Sequence, residues 1–419
     1  MTPHRAIPTS APLAAGTDAR PPHTAPTVPA APAVRADSLE LLRRRTSEKW
    51  TTYPADVLPL FVAEMDYPLA EPVAAAIIER VRASDTGYVA GPGALAPAFA
   101  NFALQSWGWP VDPQRVHTTT DVSVGIVETL KVAITPGDGV VITPPVYPPF
   151  FDLVPEAGGT VVEVPLVGGT DAAGPWSLDL AGLERAFAAG ARALLLCNPH
   201  NPLGLVHSRR SLEHVAELAE RYNVVVVSDE IHAPLVHRDS TSPFTPYLTV
   251  SDSAREHGFA VTSASKAWNL AGVKCALIVS ASDRAAATLA RLPEEVGFRT
   301  SILGLHASVA AFTDGGPWLD GVLTALEDNR ELLRILLAER LPAVQFRAPE
   351  ASYLAWLDFR GLGWGDDPAA VALERAKVAL LAGPPFGVQG RGFARLNFAC
   401  SPEVLTEAID RLAAASTSS

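Results

Sequence analysis

The sequence predicts an α/β protein with a mostly parallel central sheet flanked by helices, followed by a smaller α+β domain. Short β-branched apolar runs recur at 139–143 (GVVIT), 193–197 (ALLLC), 224–228 (VVVVS), 259–263 (FAVTS) and 275–279 (CALIV). They lack polar alternation, so each strand is expected to be covered on both faces. Helix-period patterns lie between them, the alternation that defines an α/β core.

Val124, Val127, Leu130 and Ile134 mark one apolar helix face, with Ser123 as a cap and Gly137 as a stop. Leu212, Val215 and Leu218 mark a second helix that leads into 224–228. After Pro317 the pattern reads helix, short strands around 353–359 and 394–399, and a final helix. Four regions are expected: a Pro/Ala-rich disordered tail (1–38), an N-terminal segment joining the small domain (39–75), a large domain (76–316) and a C-terminal small domain (317–415). The tail has no continuous apolar stretch of the kind a secretory signal needs.

Composition removes several classes of function. A formal net charge of −12 argues against a nucleic-acid or anionic-membrane partner. The basic run Arg43-Arg44-Arg45 sits among leucines and reads as a solvated helix face. No apolar run approaches the roughly 18 residues of a membrane span. Cys197, Cys275 and Cys400 are odd in number and widely spaced, with neither a metal pattern nor a disulfide framework, so a reducing cytoplasm fits. His200, His207 and His214 lack the i, i+4 pairing of a zinc helix, and no metal is expected.

The chemistry-bearing residues cluster just after the strands, at 198–204, 229–232 and 263–266, the edge where open α/β sheets bind ligands. Only five of the 33 basic residues are lysines. One of them, Lys266, follows a buried strand in Ser-Ala-Ser-Lys-Ala-Trp-Asn-Leu-Ala-Gly. A lysine that forms an imine needs a depressed pKa and a nearby anion anchor, and small hydroxyl residues supply the anchor. Asp229, in Ser-Asp-Glu-Ile-His, reads equally as a helix cap or as a buried acid, and Asn201 as a plain Asn-Pro turn or as a donor aimed at a ligand. The segment 120–124 opens a helix whose backbone N–H groups suit a phosphate.

Together these segments resemble fold-type I pyridoxal-5′-phosphate (PLP) enzymes, the aspartate-aminotransferase superfamily. More closely they resemble C–S lyases of the MalY/PatB (cystathionine β-lyase) type, from about Trp50 to Leu412. The resemblance implies that Lys266 carries PLP as a Schiff base and removes the Cα proton, and that Asp229 pairs with the pyridine nitrogen. Asn201 donates to the ring phenolate oxygen and reaches the substrate carboxylate, and His232 stands near the ring where many aminotransferases have tyrosine. Tyr147 stacks on the ring. Val122, Ser123, Ser263 and Lys274 hold the phosphate, Lys274 where aminotransferases place an arginine. Asp121 departs from the small residue usual there and is expected to turn away or cap the helix.

Tyr88, in Gly-Tyr-Val, matches a tyrosine that reaches the phosphate from a second subunit, which implies a homodimer with active sites at the interface. Arg395 matches the arginine that grips the substrate α-carboxylate, and its planar fork suits that task. Ala63 lies in the substrate-lining segment Phe-Val-Ala-Glu-Met-Asp-Tyr, with Glu64 and Tyr67 where Asp and Phe are usual. The small amino-acid substrate is expected to be cystathionine or another cysteine S-conjugate. The motifs FVAEMDY, GYVAGPG, PPVYPPF and SDEIH favour a lyase, although Pro234 departs from the usual acid. An aminotransferase needs the same proton abstraction and electron sink and remains the alternative. A DNA-binding regulator of the same superfamily is disfavoured by the acidic charge and by the lack of a helix-turn-helix pattern.

Overall fold

Seven strands form the main sheet: β1 (Val116–Thr119), β2 (Gly139–Ile142), β3 (Thr160–Glu163), β4 (Ala193–Cys197), β5 (Val225–Asp229), β6 (Gly258–Thr262) and β7 (Ala276–Val279). The computed structural model describes residues 34–168 and 175–417. Strand order is β1-β7-β6-β5-β4-β2-β3. β7 runs antiparallel to both its neighbours, and the other pairs are parallel. The five runs read from the sequence are β2, β4, β5, β6 and β7, displaced by at most one residue at either end. The two edge strands were not among them. β1 (Val-His-Thr-Thr) is mostly polar, and β3 (Thr-Val-Val-Glu) keeps exposed ends.

Full burial of β4 has a simple cause in its two-residue period. Leu194 and Leu196 enter one core, while Ala193, Leu195 and Cys197 enter the other. Each buried Leu or Val contributes roughly 1.5–3 kcal/mol. The second core is closed by α3 (Val122–Ala133), which follows α1 (Glu71–Arg82) and α2 (Leu95–Trp107) in the chain. α3 starts one residue before the expected cap. Asp121, not Ser123, is the N-cap, and its carboxylate accepts the Val124 N–H at 2.9 Å. A carboxylate at that place also faces the positive end of the helix dipole. The predicted helix around Leu212 is α4 (Arg209–Tyr222), capped by Ser208 and stopped by left-handed Asn223.

Beyond α5 (Ile302–Asp314) and α6 (Gly316–Arg340) lies a second, antiparallel sheet. Its strands are β8 (Gln345–Phe346), β9 (Leu354–Asp358), β10 (Leu381–Ala382) and β11 (Phe393–Asn397), in the order β10-β11-β9-β8, with α7 (Pro402–Thr417) last. A parallel pair, Leu58–Pro59 against Val378–Ala379, ties the N-terminal segment to this region.

The expected tail falls mostly at 1–33, outside the described residues. Packing is established by Val34 and Ala36, and the Asp37 N–H donates to Asp66 O at 2.9 Å. Packed structure is therefore already present within the span expected as tail, at residues before Ser38. Among the described residues no helix is long and apolar enough to cross a membrane.

Candidate active site

Parallel strands place their carboxyl ends on one edge, so Asp121 after β1, Asn201 after β4, Asp229 at the end of β5 and Lys266 after β6 all gather there. The antiparallel run of β7 brings its amino end, with Lys274, to the same edge. These residues line a cavity of about 450 Å3, and Arg395 of β11 and Ala63 of the N-terminal segment close it. Of the twelve residues expected at the site, only Tyr88 is absent from this cavity. It is 90% exposed on the surface.

Lys266 Nζ donates to Ala63 O at 3.0 Å. Burial, then the charge of Arg395, pushes its pKa down to about 8, against the opposing pull of Asp229 and Glu64. Asp229 Oδ1 accepts the Ile231 N–H at 3.1 Å. Burial pushes this carboxyl up to about 7, held back by that N–H and by Lys266. The cavity thus holds an amine and an acid that both exchange protons near neutrality. His232 is buried and driven to about 3 by desolvation, with Lys266 and Arg395 adding to the effect, so its ring is neutral. The Nδ1 of His232 has no hydrogen-bond partner among the described residues. Burial raises the Tyr147 phenol, which stays protonated on the cavity wall.

Arg395 is buried, with no carboxylate against it among the described residues. Nη1 donates to Asn201 Oδ1 at 3.0 Å and Nη2 to Phe61 O at 3.2 Å, while the guanidinium lies 5.4 Å from the Phe386 ring centre. Its Nε is unpaired, and desolvation lowers its pKa to about 10. A buried cation without an anion is costly, which fits a site for an anionic group of a ligand. Because Asn201 Oδ1 is taken, its NH2 is the end left for the cavity.

At the far end, Val122 and Ser123 occupy the first turn of α3, where N–H groups have no intrahelical acceptor. The acid next to them is neutralised: Asp121 Oδ2 pairs with Lys274 Nζ at 3.1 Å while Oδ1 caps the helix. Ser263, expected to hold the phosphate, has its hydroxyl engaged within the chain. That hydroxyl donates to Cys275 O at 2.6 Å and accepts from the Ser265 N–H at 3.0 Å, so its one proton is already committed. Ser265 also lines the cavity, and its hydroxyl has no partner among the described residues.

Three further residues escaped the sequence reading. Tyr353 donates its phenol to Ala63 O at 3.0 Å. Asn397 donates to both Val62 O and Glu64 O at 2.7 Å. Asn269, left-handed at φ +57°, accepts the Met65 N–H and donates to Met65 O, both at 2.9 Å. Every carbonyl from Phe61 to Met65 therefore takes a side-chain donor. The signal for Asn397 was present, since a two-residue period puts it on the same strand face as Arg395.

The chain belongs to the aminotransferase class I and II family, whose model matches residues 55–412. Within it, the chain is 36% identical to the cystathionine beta-lyase of Corynebacterium glutamicum, over 91% of this chain and 99% of that protein. A Mycobacterium tuberculosis protein provisionally named a cystathionine beta-lyase is 46% identical, over 90% of this chain and 96% of that one. The crystal structure of a provisionally named PLP-dependent beta-cystathionase from Corynebacterium diphtheriae superposes with a TM-score of 0.86 at 37% identity. It covers 92% of this chain and all of that one.

Proposed function

We propose that the protein is a PLP-dependent carbon–sulfur β-lyase that cleaves cystathionine or related cysteine S-conjugates to a thiol, pyruvate and ammonia. One observation carries the reading. A lysine lowered to about 8, a buried carboxyl and a buried arginine without an acid partner face a single cavity that ends at a helix N-terminus. That donor set fits PLP. The unpaired N–H groups of the first turn of α3 suit a phosphate, with Lys274 beside them and Asp121 neutralised. Asp229 suits a protonated ring nitrogen, the Asn201 NH2 a phenolate oxygen, and Lys266 the aldehyde. The bound cofactor would supply an electron sink for charge released at the substrate Cα.

The chain's own residues divide the remaining work. Arg395 binds and orients the substrate α-carboxylate through its planar fork. Lys266 takes the Cα proton and returns a proton to the departing sulfur. Ala63 O, shared by Lys266 and the Tyr353 hydroxyl, holds the amine at a defined place. We further place the active enzyme in a homodimer, with exposed Tyr88 reaching the partner's cavity, supported by exposed Ile78 and Val81 on α1 nearby. Three unpaired cysteines fit a reducing cytoplasm.

The test is pyruvate and homocysteine release from L-cystathionine by the holoenzyme, with Lys266→Ala as control. Equal amounts of both products, lost in the variant, are expected. Amino transfer to a 2-oxo acid without thiol release would make the protein an aminotransferase instead.

A further inference from the structure

We propose that His200 is a positioning residue for the cofactor ring, tying the segment that carries Tyr147 to the turn that carries Asn201. It thereby sets the gap between the group on the ring's face and the group at its edge. The proposal rests on the PLP placement given above and extends it to a residue outside the cavity lining.

His200 Nε2 lies 2.9 Å from Pro145 O, across 55 residues of sequence. A carbonyl only accepts, so Nε2 carries the ring proton and donates it. Nδ1 is buried and has no partner among the described residues. Burial, then His207, drives the His200 pKa down to about 3, so the ring is neutral and offers this single donor. The turn behind it is held by its own contacts. The His200 N–H donates to Leu205 O at 2.8 Å and the Asn201 N–H to Cys197 Sγ at 3.3 Å. His207 Nε2 donates to Cys197 O at 3.0 Å.

The segment 144–150 is gripped from its other side as well. The Val146 N–H donates to Phe386 O at 3.0 Å, and the Phe386 ring centre lies 5.4 Å from the Arg395 guanidinium. Arg395 in turn donates to Asn201 Oδ1 at 3.0 Å. These contacts close a circuit through Asn201, His200, Pro145, Val146, Phe386 and Arg395. Tyr147 follows directly on Val146 and lines the cavity with Asn201 and Arg395. Removing the His200 donor opens the circuit between Tyr147 and Asn201, and it takes a donor from the carbonyl of buried Pro145.

The experiment loads His200→Gln, His200→Leu and His200→Asn with PLP and takes two readouts that need no turnover. One is the rate of PLP release on dilution, and the other is the visible circular dichroism of the bound cofactor. Glutamine places an amide N–H where Nε2 stands, leucine has no donor, and the asparagine amide is too short to reach Pro145 O. The glutamine variant is expected to match the parent. The leucine and asparagine variants should release PLP about ten-fold faster and show an altered dichroic band. Urea midpoints of the cofactor-free proteins establish which variants are folded in the assay buffer, and asparagine carries the test if leucine does not fold.

A second comparison asks whether His200 acts through Tyr147. In Tyr147→Ala the ring's face has lost its partner, so adding His200→Leu or His200→Asn should speed PLP release by less than about two-fold. Parent-like release in the folded donor-less variants, a glutamine variant as leaky as they are, or a full ten-fold effect in Tyr147→Ala would each overturn the proposal.

The same holoenzymes assayed with a cysteine S-conjugate separate this inference from the lyase reading. If none yields pyruvate but PLP release follows the expected order, the lyase reading fails and the role of His200 stands. If the parent yields pyruvate and PLP release is the same in every variant, the role of His200 fails and the lyase reading stands.

Discussion

The Arg395 guanidinium donates to the Asn201 side-chain oxygen at 3.0 Å, joining a strand of the small sheet to the turn after β4 across 194 residues of sequence. The bond fixes the orientation of the Asn201 amide and keeps Arg395 charged but uncompensated. A substrate carboxylate is thereby offered a guanidinium that no protein acid neutralises.

Asn201→Asp should therefore damage binding more than its size implies. The new carboxylate would pair with Arg395 and compete with the substrate for the fork. KM is expected to rise about ten-fold or more. Arg395→Ala should lower kcat/KM by at least about 30-fold, since a buried partner of a charged group is removed. Steady-state kinetics on one cysteine S-conjugate decides both, and an unchanged KM in Asn201→Asp would remove Arg395 from carboxylate recognition.

Asp229 gives a prediction about stability and pH. In the cofactor-free protein its pKa is about 7, against an ordinary 3.8, because of burial. The folded state then holds this proton more tightly than the unfolded chain. The contribution is complete below about pH 4 and is lost as the pH climbs through 7. At pH 8 the ionised, buried carboxylate costs roughly 4 kcal/mol. Asp229→Asn cannot ionise, so its cofactor-free form should resist urea better than the parent at pH 8 and equally at pH 4. No difference at pH 8 would show that the carboxylate is well solvated. The same variant should lose most of its turnover when loaded with PLP.

The central strands were legible because their burial on both faces leaves uninterrupted apolar runs, as in Leu194-Leu195-Leu196. The edges were not: β1 carries His117 and two threonines, and its place beside β7 depends on a pairing more than 150 residues away. The site divides in a similar way. Lys266, Asp229 and Asn201 follow strand ends, where local sequence reports function. Tyr353 and Asn397 act on the backbone of 62–64 from 290 to 335 residues away, and only the folded chain reveals that use. Ser263 shows the converse: its place in the motif was plain, but its hydroxyl is turned to Cys275 O.

Lys266 should be the most reactive amine in the cofactor-free protein. At pH 8 about half of it is neutral, whereas a lysine near its ordinary value is neutral to less than about 1%. Brief acylation at pH 8 followed by peptide mass spectrometry should mark Lys266 at least about ten-fold faster than Lys131 or Lys377. Prior loading with PLP should block that labelling alone. Uniform labelling of these lysines would contradict the depressed pKa.

Gly125 lies in α3, where the helix meets the sheet, and it links packing to the anion end of the cavity. A Cβ at this position would come within 2.7 Å of Val261 Cγ1 and 3.3 Å of Thr119 Cγ2. Neither neighbour can retreat easily, since Val261 is buried in β6 and Thr119 ends β1 beneath the helix. Gly125→Ala must push α3 outward, at a cost of about 1–3 kcal/mol for overpacking. The displaced helix carries Val122 and Ser123 with it, so the N–H groups proposed to hold the phosphate move as well. The variant should show both a lower unfolding midpoint in urea and weaker PLP retention on dialysis. A stability loss with undiminished retention would mean that the N-terminus of α3 does not hold the phosphate.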